Sequence, residues 1–254
     1  MEKIDRRRFL VRLVNALSAV SVSGCDALSQ SERFVQLLET AEDVNRRTHR
    51  AITPSRAMAR EYDESEISAV FPTNGTTFPD DPVYRELAAN GFVDWRLQVG
   101  GLVRRPESLS LAEIRQLPAR TQITRHDCVE GWSAIAKWTG VPLSVLLDRV
   151  QPLPEARYVV FRCADPMNKT SFKYYESIDF EDALHPQTIL AYELNDQPLP
   201  IQNGAPIRLR VERQLGYKSA KYIMRIELVD DLTPIGSGRG GYWEDQGYEW
   251  YAGI

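Results

Sequence analysis

Between residues 31 and 50 the apolar side chains Phe34, Leu37, Leu38, Ala41 and Val44 recur every three or four positions, with Ser31 standing where an N-cap belongs. That rhythm predicts an amphipathic helix. Residues 51–80 lose it and fill with Pro, Thr, Ser and acids, including Phe71-Pro72-Thr73-Asn74-Gly75-Thr76-Thr77, so they read as loop. Asp81 and Pro82 then supply an N-cap and a first-turn proline, and Gly91 a stop, for a short helix. From Trp95 the period shortens. Leu97, Val99 and Leu102-Val103 predict a strand or hairpin, and Ser110-Leu111-Ala112-Glu113 is a capping box opening a helix that ends near Pro118.

Residues 121–128 read as a strand that carries Cys128 to its end, and Leu143, Leu146, Leu147 and Val150 form one face of a helix over 142–150. Residues 157–163, 172–175 and 188–193 are strand-like by their β-branched and aromatic content. Tyr175-Glu176-Ser177 leads into a helix through Phe180, Ala183 and Leu184 that Pro186 stops. Asn195-Asp196 makes a turn, and 207–211 and 222–229 close the series as strands. Helices and strands share one core, so the fold class is α+β.

Composition fits this picture: 254 residues, 43% hydrophobic and 26% charged, are those of an ordinary globular chain. The formal charge of −4 argues against a broad nucleic-acid surface, which needs excess Lys and Arg, and makes any anion site local. Asp5-Arg6-Arg7-Arg8-Phe9-Leu10 ahead of a weakly apolar stretch reads as a twin-arginine export signal over residues 1–24. Leu13 to Gly24 is shorter than the about 20 residues a membrane-spanning helix needs. Val22-Ser23-Gly24-Cys25 also matches a lipoprotein cleavage site, so Cys25 is either a lipid anchor or an incidental cysteine beside a plain signal. With three cysteines in all, removal of Cys25 leaves Cys128 and Cys163, too few for a disulfide framework; a single Cys128–Cys163 bridge is the competing reading. His49 and His185 have no partners at metal-ligand spacing, so no zinc site is expected.

The chemistry gathers in three segments. Cys128 sits in Arg125-His126-Asp127-Cys128-Val129-Glu130-Gly131-Trp132-Ser133; downstream come Asn203-Gly204-Ala205-Pro206-Ile207-Arg208 and Gly216-Tyr217-Lys218-Ser219-Ala220-Lys221. A thiolate is a soft ligand for a redox metal, and clustered cations with glycine-exposed amides suit a phosphate. In this order, over roughly residues 70–235, these segments resemble the molybdopterin-binding domain of the sulfite oxidase family, in particular the bacterial branch that includes the methionine sulfoxide reductase catalytic subunit.

That resemblance implies a mixed β-sheet molybdopterin-binding domain at 70–235 with short peripheral helices, preceded by a helix and linker at 25–69. It implies the molybdenum-molybdopterin cofactor, with Cys128 as the protein's single metal ligand. Arg208, Ser219, Ala220 and Lys221 match the segment that holds the pterin phosphate, with Lys218 a further charge for it, and Asn203 matches a cofactor-binding Asn. Asn74 falls where related bacterial enzymes place an Asn near the metal, with Thr73, Thr76 and Thr77 as weaker neighbours. Cys163 stands where a family member uses Thr to touch the cofactor, and equally suits the core. His126 is a candidate proton donor or oxo-orienting group, its bland alternative a hydrogen-bonded structural residue, and Arg125 a candidate aid to an anionic substrate. Here Glu212-Arg213 replaces a Pro-Trp pair of the bacterial reductase.

The expected activity is two-electron oxygen-atom transfer on a small sulfur-containing or oxide substrate, sulfoxide reduction or sulfite oxidation, with the cofactor carrying the bond-making. A haem- or quinone-linked membrane partner would exchange the electrons in the cell envelope or periplasm. The alternative is a non-catalytic exported lipoprotein using the fold to bind a ligand or protein. Larger eukaryotic members add an immunoglobulin-like dimerisation domain at the point where no second core-sized segment follows residue 235 here, so a monomer is expected. The tail over 236–254 pairs glycine hinges with Tyr242, Trp243, Trp250 and Tyr251, and is expected to dock over the cofactor mouth.

Overall fold

A computed structural model describes residues 31–167 and 172–254; the segment read as an export signal, and Cys25, lie outside the described residues. The chain divides into two compact units, Met1–Thr53 and Pro54–Ile254. In the first, helix α1 spans Glu32–Ile52 with Ser31 in the extended conformation of an N-cap. Among the described residues no helix is long and apolar enough to cross a membrane.

The second unit is built on two five-stranded sheets. Helix α2 (Pro82–Ala89) opens on Asp81, whose carboxylate accepts from the Tyr84 N–H. Strands β1 (Arg96–Gly101) and β2 (Glu107–Ser110) form a hairpin running into α3 (Leu111–Arg115), with both halves of the Ser110/Glu113 capping box made. Strands β3 (Arg120–Asp127) and β4 (Ser133–Pro142) pair antiparallel, and α4 (Leu143–Val150) follows, burying Leu143, Leu146, Leu147 and Val150. Then come β5 (Tyr158–Pro166), β6 (Lys173–Asp179), α5 (Phe180–Ala183), β7 (Ile189–Leu194), β8 (Gln197–Pro198), β9 (Arg208–Arg210), β10 (Ile223–Val229) and α6 (Tyr242–Asp245).

The first sheet has the order β2-β1-β10-β5-β6, with β1 parallel to β10 and the other pairs antiparallel; in the second, β3-β4-β7-β8, strand β9 also pairs with β7. This is the expected α+β fold with mixed sheets. Leu97, Val99, Phe161, Ile226 and Leu228 from the first sheet and Val141, Leu190 and Leu209 from the second share one core with α4. Gly140 lets β4 approach β7, since a Cβ there would lie 2.3 Å from the Leu190 carbonyl oxygen.

Two elements differ from expectation. The segment 175–177 continues β6 to Asp179, because pairing with β5 engages Tyr158↔Asp179 through Phe161↔Glu176, and only four residues remain for α5. Residues 133–141, unassigned by pattern, form the ten-residue β4 together with Pro142, which was expected to open the next helix. The stretch ahead of α2 is tied to the sheets: Tyr62 N–H donates to Ile123, Ser68 N–H to Ile135, and Gln187 bonds both the N–H and the carbonyl of Ala59.

Candidate active site

β3 ends one residue before Cys128. There the Cys128 N–H donates to the Trp132 carbonyl and the Gly131 N–H returns to the Cys128 carbonyl, a turn that Gly131 permits at φ +89°. The thiol, 8% exposed, faces a cavity of about 180 Å³. Asn74, Gly75 and Thr76 line it from the loop before α2, Cys128, Val129 and Glu130 from the turn, and Asp165, Met167 and Tyr174 from the β5–β6 hairpin. Gly216, Tyr217, Ser219, Ala220 and Lys221 add the segment before β10, and Trp243 and Tyr248 the tail.

Two buried cations serve this cavity, Lys221 in its wall and Arg208 behind it. The Lys221 ammonium donates to the carbonyls of Asn74 (2.6 Å), Thr76 (2.5 Å) and Gln202 (3.2 Å). The Arg208 guanidinium, fully buried over the Trp138 ring, donates to the carbonyls of Asn203 (3.1 Å) and Ser219 (3.2 Å). Gly204 lies between them, its absent Cβ about 3 Å from both side chains. Among the described residues neither cation has a carboxylate in ion-pair contact. Burial, reinforced by Arg208, lowers Lys221 to about 7, and burial with Arg210 lowers Arg208 to about 9. Buried charge without a counterion is costly, so the arrangement suits an anion that is not protein. Arg208 Nε and Asn203 Nδ2, buried without a partner among the described residues, point to the same need.

Burial and Glu130 raise the Cys128 thiol, opposed by an N–H bond from the Glu130 backbone and by Arg208 and Lys221. The cations bearing on the sulfur are therefore not the two neighbours in sequence. Arg125 is exposed and paired with Asp127 at 3.0 Å, outside the cavity lining. His126 is 2% exposed and held well below its usual value by burial, Arg210, Arg208 and Lys221. Arg210 contacts its Nδ1 at 2.5 Å; a guanidinium only donates, so Nδ1 accepts and the proton sits on Nε2. That Nε2 has no partner among the described residues and packs on Gly216, where a Cβ would lie 2.4 Å away.

The remaining candidates divide. Asn74, Thr76, Ser219, Ala220 and Lys221 line the cavity with Cys128, while Asn203 and Arg208 stand behind it. Thr73 and Thr77 are not in the lining. Cys163 is a free cysteine in the core cluster of β5, and Cys128 is free as well, so no bridge joins them. Lys218 is turned away: its ammonium is 0% exposed between Glu176 and Glu244, 2.5 Å from each. The pattern missed Asp165, buried in the lining with Oδ1 unpartnered, and the Arg210–Glu212–Gln122 network beneath His126. An acid two residues past a strand cysteine was the available signal for the first.

The donors present thus fit a phosphate-bearing cofactor beside a thiol ligand. If Lys221 receives an anionic end, Lys221→Met is expected to remove about 1.5–3 kcal/mol of charged hydrogen bonding, roughly 10- to 100-fold in cofactor affinity. Pterin content after purification checks it, with Lys137→Met, an outer lysine paired to Glu64 and Asp196, as the unaffected control.

Comparison with known proteins places these residues in context. A family model described as the oxidoreductase molybdopterin binding domain matches residues 85–234. The Azospira oryzae protein named "Putative protein-methionine-sulfoxide reductase subunit YedZ1" is 40% identical over 98% of this chain and 87% of its own length. The protein-methionine-sulfoxide reductase catalytic subunit MsrP of Xanthomonas axonopodis pv. citri is 42% identical over 54% of this chain, and the match spans 46% of that protein, less than half its length. Among solved structures, the sulfane dehydrogenase SoxCD of Paracoccus pantotrophus shares the fold with a TM-score of 0.50 at 24% identity, over 55% of this chain and 39% of that one. A thiol at the end of β3, a cavity backed by uncompensated cations and a matching family model lead to one assignment: the chain belongs to the sulfite oxidase-like molybdopterin-binding oxidoreductases.

Proposed function

We propose that this oxidoreductase reduces a sulfoxide, with Cys128 as the protein ligand to molybdenum and Arg208, Lys221, Asn203, Ser219 and Ala220 receiving the pterin's phosphate end. The observation that carries the reading is the pairing of a cavity-facing thiol with two buried cations that, among the described residues, only carbonyls satisfy by hydrogen bond. When bound, the cofactor supplies two-electron oxygen-atom chemistry. The chain's own part is to fix the ligand, neutralise the anionic end and shape the mouth.

That mouth favours a neutral substrate. Met167, Tyr174, Tyr217, Trp243 and Tyr248 make an aromatic and thioether wall, whereas Arg125 pairs with Asp127 rather than converging on the cavity as a sulfite pocket would require. The relatives named as methionine sulfoxide reductases support the same direction. Export by the twin-arginine segment, anchoring at Cys25 and electron supply from a membrane haem- or quinone-linked subunit complete the proposal.

Protein exported by its own signal from cells that make the cofactor is expected to carry molybdenum and pterin in amounts equal to the chain. With a reduced viologen it is expected to turn over methyl sulfoxides faster than it oxidises sulfite with a dye acceptor. Metal-free protein would favour the binding-module alternative; preferential sulfite oxidation would reverse the direction.

A further inference from the structure

Asp165 near the end of β5 takes part in none of the roles assigned above. It is 5% exposed, yet it lines the same cavity as Cys128. Thr76 lines the cavity with it, and its Oδ1 is buried with no partner among the described residues. A carboxyl group buried beside a reaction cavity, with one oxygen that no protein donor satisfies, has the geometry of a proton carrier.

Its surroundings favour the acid form. Lys221 and Lys173 pull the carboxyl down, Thr76 and a backbone N–H assist them, and burial outweighs all four, leaving Asp165 at about 6. Tyr84, Tyr174 and Tyr222 face it from α2, β6 and the start of β10, Cys163 lies beside it on β5, and Glu130 faces the shared cavity from the turn after β3. Lys221 and Lys173 are the cations that act on it, and burial outweighs both.

We infer that Asp165 is the proton donor of this site, delivering one of the two protons that leave with the sulfoxide oxygen; the inference rests on the sulfoxide reading above. In the net reaction a sulfoxide, two electrons from a low-potential reductant and two protons give a thioether and water. The sulfur–oxygen bond breaks, sulfur is reduced by two electrons, and the oxygen departs with both protons. Asp165 gives one from its carboxyl O–H, becomes a carboxylate, and is reprotonated from solvent through the open mouth. Water supplies the other.

The test uses molybdenum-loaded enzyme with a reduced viologen and a methyl sulfoxide. Wild-type kcat/KM is expected to fall as pH rises through about 6. Asp165→Asn is expected to lower it about 100-fold or more and to erase that limb, with molybdenum content unchanged, while Asp165→Glu restores a limb. Infrared spectra give a readout independent of turnover: a carboxylic acid C=O band absent from Asp165→Asn and lost in the wild type as pH rises through about 6. Full-rate turnover with the limb intact in Asp165→Asn, or the absence of that band, overturns the donor role. Loaded wild-type enzyme that shows the band and reduces no sulfoxide overturns the substrate reading instead.

Discussion

Cys128→Ser is expected to cost more than about 100-fold in turnover while leaving the melting temperature nearly unchanged. Supporting residues around a metal ligand typically cost about 10- to 100-fold when lost, and the ligand itself should exceed them. A serine oxygen is hard and far less acidic, a poor substitute for a thiolate on a soft redox metal. Stability is spared because the side chain sits at a cavity wall and its turn is held by backbone bonds to Trp132 and Gly131 that serine keeps. Cys163→Ser supplies the contrast: its sulfur lies in the core cluster, and burying a hydroxyl there costs about 1–3 kcal/mol without touching the cavity. Turnover per molybdenum, metal content and melting of both variants decide the matter. A Cys128→Ser enzyme that keeps full molybdenum-dependent turnover would falsify the ligand assignment.

The elements that were legible in the sequence are those whose signal is local. The Ser110/Glu113 capping box, Asp81 and Pro82 at the start of α2, and the apolar face of α4 each specify their element within a few residues, and each forms as expected. Strand β4 was not legible although its burial alternates strictly over Ala134, Ala136, Trp138 and Gly140: small residues carry little strand preference, and the reason for them, close approach to β7 at Gly140, is tertiary. The end of β6 was misread because Tyr175-Glu176-Ser177 has no local reason to be extended; its partner β5 supplies one.

The site divides along the same line. Residue types and order pointed to Cys128, Arg208 and Lys221, which the fold gathers around one cavity. Which basic residue of Gly216-Tyr217-Lys218-Ser219-Ala220-Lys221 faces that cavity depends on the one-turn helix at 216–218, which sends Lys218 inward and leaves Ser219, Ala220 and Lys221 at the wall. Arg125 illustrates strand alternation: as His126 turns in, Arg125 turns out to meet Asp127.

Lys218→Met is expected to destabilise the domain by about 3–5 kcal/mol, the usual cost of removing one partner from a buried ion pair. For a domain of about 150–250 residues that is roughly 6–20 °C in Tm. The triad joins three distant pieces of chain: Glu176 on β6, Lys218 before β10 and Glu244 on α6, all 0% exposed. Its loss therefore reaches the tail, whose Trp243 and Tyr248 line the cavity and stack on each other at 5.3 Å. The pH dependence has a definite sign. Burial raises Glu176 well above its usual 4.5 even with Lys218 opposing, and removing the ammonium raises it further. A carboxyl group raised by burial costs stability only above its unfolded 4.5, and because Glu176 is raised in both proteins and further in the variant, the deficit of Lys218→Met shrinks as pH falls through these raised values toward 4.5. In the wild type, burial opposes the charge on Lys218 but Glu176 and Glu244 overcome it, so the group's contribution persists through neutral pH and fades above its ordinary 10.5. Thermal melts of wild type, Lys218→Met and Lys218→Met/Glu176→Gln across that range check the argument, the double variant recovering part of the loss by removing one stranded charge. A single variant that melts within 2 °C of wild type near neutrality, far short of the roughly 6 °C minimum, would show the triad to be energetically idle.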